Sequence, residues 1–116
     1  MALVLVVDDE ALVRMNAVAM IEQAGHQVIE AANADEAIRI LESRFDIEIV
    51  FSDVSMPGSM DGLRLVHLIR DRWPPIRLIL ASGKSLPEGA MPPEGSVFLC
   101  KPYDFEDLTG ALARAA

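Results

Sequence analysis

At 116 residues, 52% hydrophobic and 24% charged, the chain can bury one core, and its composition excludes a disordered protein. A formal net charge of −8, with the arginines scattered, excludes a nucleic-acid surface built on clustered cations. The opening MALVLVVDDE lacks the basic region and long apolar core of a signal peptide, and no stretch approaches the ~20 apolar residues that span a bilayer. The expectation is a single cytoplasmic domain over 1–116 that touches neither membrane nor nucleic acid.

Leu3 to Val7 are uniformly apolar and end on Asp8 and Asp9, which reads as a buried strand with two acids at its carboxyl end. Val13, Ala17, Met20, Ile21 and Ala24 then recur at helical spacing, with Arg14, Asn16, Glu22 and Gln23 opposite them, and Gly25 closes the helix. Gln27 to Ala31 make a second strand. Asn33 can cap the next helix, whose buried stripe is Ala34, Ala37, Ile38 and Leu41.

The central stretch is IEIVFSDVSMPGSMDG, residues 47–62. Ile47, Ile49, Val50 and Phe51 read as a strand buried on both faces. Asp53 stands at its end, where open α/β sheets place their ligands, and Met56, Pro57 and Gly58 force a turn. A third helix runs from about Asp61 to Trp73, with Leu65, Val66, Ile69 and Trp73 facing the sheet, and Pro74 and Pro75 stop it.

Ile76 to Ala81 form a fourth strand ending on Ser82 and Gly83, and Val97 to Cys100 a fifth ending on Lys101 and Pro102. Asp104 caps a last helix with Phe105, Leu108, Leu112 and Ala115 on one face. Cys100, the only cysteine, follows Phe98 and Leu99 and reads as a reduced core thiol. Strands alternating with helices through short connections predict a doubly wound α/β fold, a parallel sheet covered on both faces.

The connection over 83–96, GKSLPEGAMPPEGS, breaks the alternation. Pro87, Pro92 and Pro93 each remove a backbone donor, at about 3 kcal/mol in a helix interior. Leu86, Ala90 and Met91 could recover only a few kcal/mol by burial. This segment is expected to be irregular or a single turn at most, and mobile in the resting state.

Four strands thus deliver polar residues to one sheet edge: Asp8 and Asp9, Asp53, Ser82, and Lys101. The second strand does not. Carboxylates 4 Å apart repel by about 4 kcal/mol per pair at an effective dielectric of about 20, and a divalent cation turns that repulsion into ligation. Hard oxygen donors favour Mg²⁺. Ser82 and Lys101 add a hydroxyl and an ammonium, which suit a tetrahedral dianion. With the Ser82 hydroxyl read as a ligand of that dianion, the Asp53 carboxylate is the candidate nucleophile toward a phosphoryl group. His26 and His67 lie away from this edge and read as exposed structural residues.

On these residues the chain resembles a response-regulator receiver domain of two-component signalling over essentially its whole length. The resemblance implies a five-stranded sheet of order 2-1-3-4-5, Asp53 as phosphoacceptor, and Asp9 with the Ser55 backbone carbonyl as direct Mg²⁺ ligands. Asp8 would hold the metal through water, and Ser82 and Lys101 would bind the phosphoryl oxygens, with Pro102 in the position the family commonly has in cis. Phe98 matches the family's aromatic switch, and Ser55 and Lys84 the two positions that tune phosphate lifetime. The implied partners are a histidine kinase or histidine phosphotransfer protein and an unknown downstream protein.

Residues 83–96 stand where the family normally has a fourth helix. That helix belongs to the usual dimer surface, so the expectation is a monomer. The loop after Asp53 is one residue longer than the commonest family pattern. A Mg²⁺-dependent phosphohydrolase with an aspartate nucleophile is the alternative, set back by Ser55 standing where such enzymes place a second acid. A receiver-like scaffold that takes no phosphate is another, against which Asp8, Asp9, Asp53, Ser82 and Lys101 all count.

Overall fold

The structure, a computed structural model, describes residues 2–56, 60–83, 86 and 89–115. In chain order the elements are β1 (Leu3–Val7), α1 (Ala11–Gln23), β2 (Gln27–Ala31), α2 (Ala34–Ser43), β3 (Ile49–Asp53), α3 (Gly62–Arg72), β4 (Arg77–Ser82), β5 (Val97–Cys100) and α4 (Phe105–Ala115). The strands form one parallel sheet of order β2-β1-β3-β4-β5.

Successive residues of a strand face opposite sides, so a strand covered on both faces must be apolar at every position. Leu5, Val7, Val50, Leu78 and Leu80 join Ala37, Leu41, Leu65, Val66 and Ile69 in the layer under α2 and α3. Val4, Val6, Ile49, Phe51, Ile79 and Ala81 join Ala17, Ile21, Leu108, Ala111 and Leu112 in the layer under α1 and α4. The continuous apolar runs are the signature of this two-sided burial.

Helix starts follow local chemistry. Asn33 Oδ1 accepts the Glu36 amide at 2.8 Å, and Asp61, just before α3, accepts the Arg64 amide at 2.9 Å. At α4 the capping is reciprocal: Asp104 Oδ1 accepts the Asp107 amide at 2.8 Å, and Asp107 Oδ2 accepts the Asp104 amide at 3.1 Å. Trp73 ends α3 with the Arg72 guanidinium 4.3 Å from its ring centre.

A fourth helix is present, and it is α4, after β5. The described residues of the β4–β5 connection, 83, 86 and 89–96, belong to no helix or strand. Residues 84, 85, 87 and 88, on which part of the expectation for this segment rests, lie outside the described residues. So do 57–59, in the loop read as one residue longer.

Cys100 is exposed, which corrects its reading as a core thiol. β5 is an edge strand with burial confined to Leu99, and Cys100 is its last residue, on the side opposite the α1 and α4 layer. Apolar neighbours in sequence do not bury a residue at the corner of a sheet. His67 is exposed as expected, whereas His26 is half-buried, its Nδ1 accepting the Ala2 amide at 3.0 Å.

Candidate functional site

The acids gather where β1 and β3 end. The Asp8 amide donates to the Ala31 carbonyl at 3.1 Å, extending the ladder to β2 one residue past β1. This draws Asp8 into the fold at 4% exposure, and its Oδ1 accepts the Glu10 amide at 3.0 Å. Asp9 is exposed. Asp53, the last residue of β3, pairs with Ala81 and is 6% exposed. One carboxylate oxygen from each of Asp8, Asp9 and Asp53 lies within 4.8 Å of the others.

The backbone at Asp53 and Val54 is held by two hydrogen bonds. The Ser52 hydroxyl donates to the Asp53 carbonyl at 3.0 Å, and the Gly62 amide donates to Val54 at 2.8 Å. A Cβ on Gly62 would fall on the Asp53 carbonyl oxygen, so this position has no room for a side chain.

Lys101 crosses from β5 to close the cluster, its Nζ 3.0 Å from Asp53 Oδ1 and 3.7 Å from Asp8 Oδ2. Its amide donates to the Ser82 carbonyl at 2.8 Å, and the Lys101–Pro102 peptide is cis. Burial alone would push the ammonium's pKa down. The Asp53 hydrogen bond and the charges of Asp53, Asp8 and Glu10 outweigh it, so the pKa is raised. The pKa of Asp8 is raised as well, chiefly by burial, with Asp53 and Asp9 adding repulsion against the lowering effects of the Glu10 amide and Lys101.

Three carboxylates against one ammonium leave two negative charges to be balanced. The donors are hard oxygens, two on buried residues, and they can take up a small divalent cation.

Of the other candidates from the sequence, Ser82 is buried at the end of β4, beside Ala81, which pairs with Asp53. Ser55 is exposed two residues beyond Asp53. Phe98 is half-buried opposite Leu80, against the α2/α3 layer and one strand away from the acids. Lys84 lies outside the described residues.

Two participants escaped the sequence reading. Arg14, placed on the outer face of the first helix, is only 19% exposed in its side chain, and its Nη1 donates to the Asp8 carbonyl at 2.8 Å. Tyr103 packs edge-on to Phe51 with ring centres 5.9 Å apart. It lines a cavity of about 450 Å³ with Val13, Asn16, Met20, Gly83, Lys101 and Pro102. Its hydroxyl is pushed up to about 12 by burial first and by Asp8 and Asp53 next. Helical periodicity gave no warning of the first, since Arg14 leans back over the helix start. The only signal for the second was an aromatic ring two residues beyond Lys101.

The response regulator receiver domain family matches residues 4–113, and the chain belongs to that family. Among relatives, the sensor kinase CckA of Brucella abortus is 39% identical over 92% of the chain, and the response regulator FleR of Pseudomonas aeruginosa 35% over 99%. The transcriptional regulatory protein PdtaR of Mycobacterium tuberculosis is 33% identical over 97%. The chain spans 12%, 24% and 55% of the lengths of these three proteins.

Solved structures agree in fold. The chemotaxis protein CheY4 of Vibrio cholerae superposes with a TM-score of 0.85 at 28% identity, covering 100% of this chain and 99% of that one. The receiver domain of the hybrid histidine kinase CckA gives 0.83 at 31% identity, covering 98% of each. TrrA of Thermotoga maritima, solved with Mg²⁺ and beryllofluoride, gives 0.89 at 25% identity, covering 100% of each. The protein is therefore a two-component signalling module, and among the described residues no helix is long and apolar enough to cross a membrane.

Proposed function

We propose that Asp53 takes a phosphoryl group from a histidine kinase or histidine phosphotransfer protein and that the chain signals by a changed protein-binding surface. The observation that carries this reading is Lys101 Nζ at 3.0 Å from Asp53 Oδ1, inside a cluster of three carboxylates within 4.8 Å. An Asp53 oxygen attacks phosphorus, the bond from phosphorus to the donor imidazole nitrogen breaks, and that imidazole leaves as the neutral base once protonated. Lys101 passes from the Asp53 carboxylate to the incoming phosphoryl oxygens, with the Ser82 hydroxyl as a second donor.

Asp8, Asp9, Asp53 and the Ser55 carbonyl would hold Mg²⁺, which supplies charge neutralisation of the transferring group. Ser55 and Lys84 flank the approach of a hydrolytic water and set the phosphate lifetime. Phe98 relays the change from Ser82 to the surface. The chain acts only on its own phosphorylation state, in the cytoplasm and as a monomer. A phosphohydrolase on external substrates is not favoured, since the residue two beyond Asp53 is Ser55 rather than an acid.

Incubation with acetyl phosphate and Mg²⁺, read by intact mass, tests the proposal. One phosphoryl group per chain is expected, lost in Asp53→Ala and in excess chelator. Full stoichiometry in either control refutes it.

A further inference from the structure

The second strand delivers no polar side chain to the site edge by sequence order, yet it reaches the site through another residue. Glu30 on β2 accepts a hydrogen bond from Arg14 Nε at 3.0 Å, and Arg14 Nη1 donates to the Asp8 carbonyl at 2.8 Å. The guanidinium thus faces a backbone oxygen of the acid turn rather than its carboxylates. Asp8 is the first residue past the end of β1, where the turn no longer has a strand to hold its carbonyl.

We infer that Glu30 and Arg14 form a clamp that positions the Asp8–Asp9 turn for cation binding, an inference that rests on the Mg²⁺ reading of the preceding section. The turn is tied at three points: the Asp8 amide to Ala31, the Asp8 carbonyl to Arg14, and Asp8 Oδ1 to the Glu10 amide. Two of these ties run to neighbouring residues of one strand, Glu30 and Ala31, one through Arg14 and one directly. Repulsion among Asp8, Asp9 and Asp53 tends to open the turn, and the clamp opposes that opening without placing a positive charge on the carboxylates. The fork of the guanidinium suits this because two of its nitrogens point at two acceptors at once. Arg14 and Glu30 are positioning residues, acting on the cation through Asp8.

Mg²⁺ affinity measured by isothermal titration calorimetry on the whole chain separates a clamp from simple charge. Arg14→Met removes a positive charge near the acids, so electrostatics alone would tighten Mg²⁺ binding. Glu30→Ala removes a negative charge, so electrostatics alone would weaken it. A clamp predicts that both weaken it by about tenfold, the usual scale for groups that orient metal ligands, and that the double variant is no weaker than Arg14→Met alone. Opposite shifts in the two variants, or affinity unchanged in both, overturn the clamp. Wild-type protein that binds no Mg²⁺ overturns the metal reading and the clamp together. Glu30 is exposed at the sheet edge, so Glu30→Ala with Glu30→Gln keeps the test decisive should Arg14→Met fail to fold: Gln keeps the acceptor for Arg14 without the charge, so loss in the first with recovery in the second supports the clamp, and equal loss in both, or unchanged affinity in Glu30→Ala, overturns it.

Discussion

A methyl group on Gly62 would stand 1.7 Å from the carbonyl oxygen of Asp53, closer than any real carbon approaches an oxygen it is not bonded to. The first residue of α3 is therefore pressed against the backbone of the candidate phosphoacceptor, and the obstacle is main chain, which cannot swing aside. Gly62→Ala is expected to destabilise the fold by about 1–3 kcal/mol and to slow phosphorylation by acetyl phosphate, both by displacing Asp53. Gly110, inside α4, is the control. There a methyl group meets only the end of the Arg114 side chain at 3.4 Å, so Gly110→Ala should raise stability by about 0.5–1 kcal/mol. Urea unfolding of the two variants checks both signs.

A divalent cation held at the acid cluster, as proposed, would make stability depend on it. A ligand that binds only the folded state at 100 times its Kd adds about 2.7 kcal/mol, so Mg²⁺ should raise the unfolding midpoint and chelator should return it. Asp9 is the informative position because it is exposed while Asp8 and Asp53 are buried. Asp9→Ala removes one of three mutually repelling carboxylates, so it should leave the metal-free protein at least as stable as the wild type and remove most of the Mg²⁺ gain. A gain of full size in this variant would mean that the cation sits elsewhere.

Much of this was open to reading because parallel strands buried on both faces leave so little freedom. β1, β2 and β5 occupy the stretches their apolar runs predict, while β3 begins two residues later than its run and β4 is displaced by one. The site residues stand out for a related reason: acids at the ends of apolar strands have no packing role. Side-chain direction at exposed or half-exposed positions was not legible. Arg14 turns back over the helix start, and Cys100 faces out at a sheet corner; both are set by tertiary neighbours rather than by local pattern.

Phe98 tests whether the site speaks to the β4–β5 connection. It pairs with Leu80, is half-buried, and lies in sequence just after residues 89–96. That segment is held to α3 by His67 Nε2, 2.6 Å from the Met91 carbonyl, and by Arg70, which donates to the Glu94 carbonyl. Beryllofluoride, as a phosphate mimic, should change hydrogen exchange across 89–96 in the wild type, and Phe98→Ala should remove that change while still being phosphorylated. An undiminished change in the variant would exclude Phe98 from the relay.

Tyr103 is the only tyrosine in the chain, so its phenolate absorbance reports one residue without labelling. Its pKa is raised from 10.0 to about 12, first by burial and then by the charges of Asp8 and Asp53. Both causes favour the neutral phenol in the folded state. In the unfolded chain the hydroxyl ionises near its ordinary value, so between about 10 and about 12 the unfolded state has released a proton that the folded state still holds. Folding stability is therefore full below this window and falls as pH rises through it. Lys101, also raised by its partners, acts with the same sign. Spectrophotometric titration should place Tyr103 near 12 in native buffer and near 10 in denaturant, and Tyr103→Phe should flatten part of the alkaline loss of stability. Asp53→Asn should move the native titration down by less than burial moves it up, because burial is the larger cause. Native ionisation near 10 would mean that the ring is not shielded beside the acid cluster, and with it would go the packing of Tyr103 on Phe51 as the wall of that site.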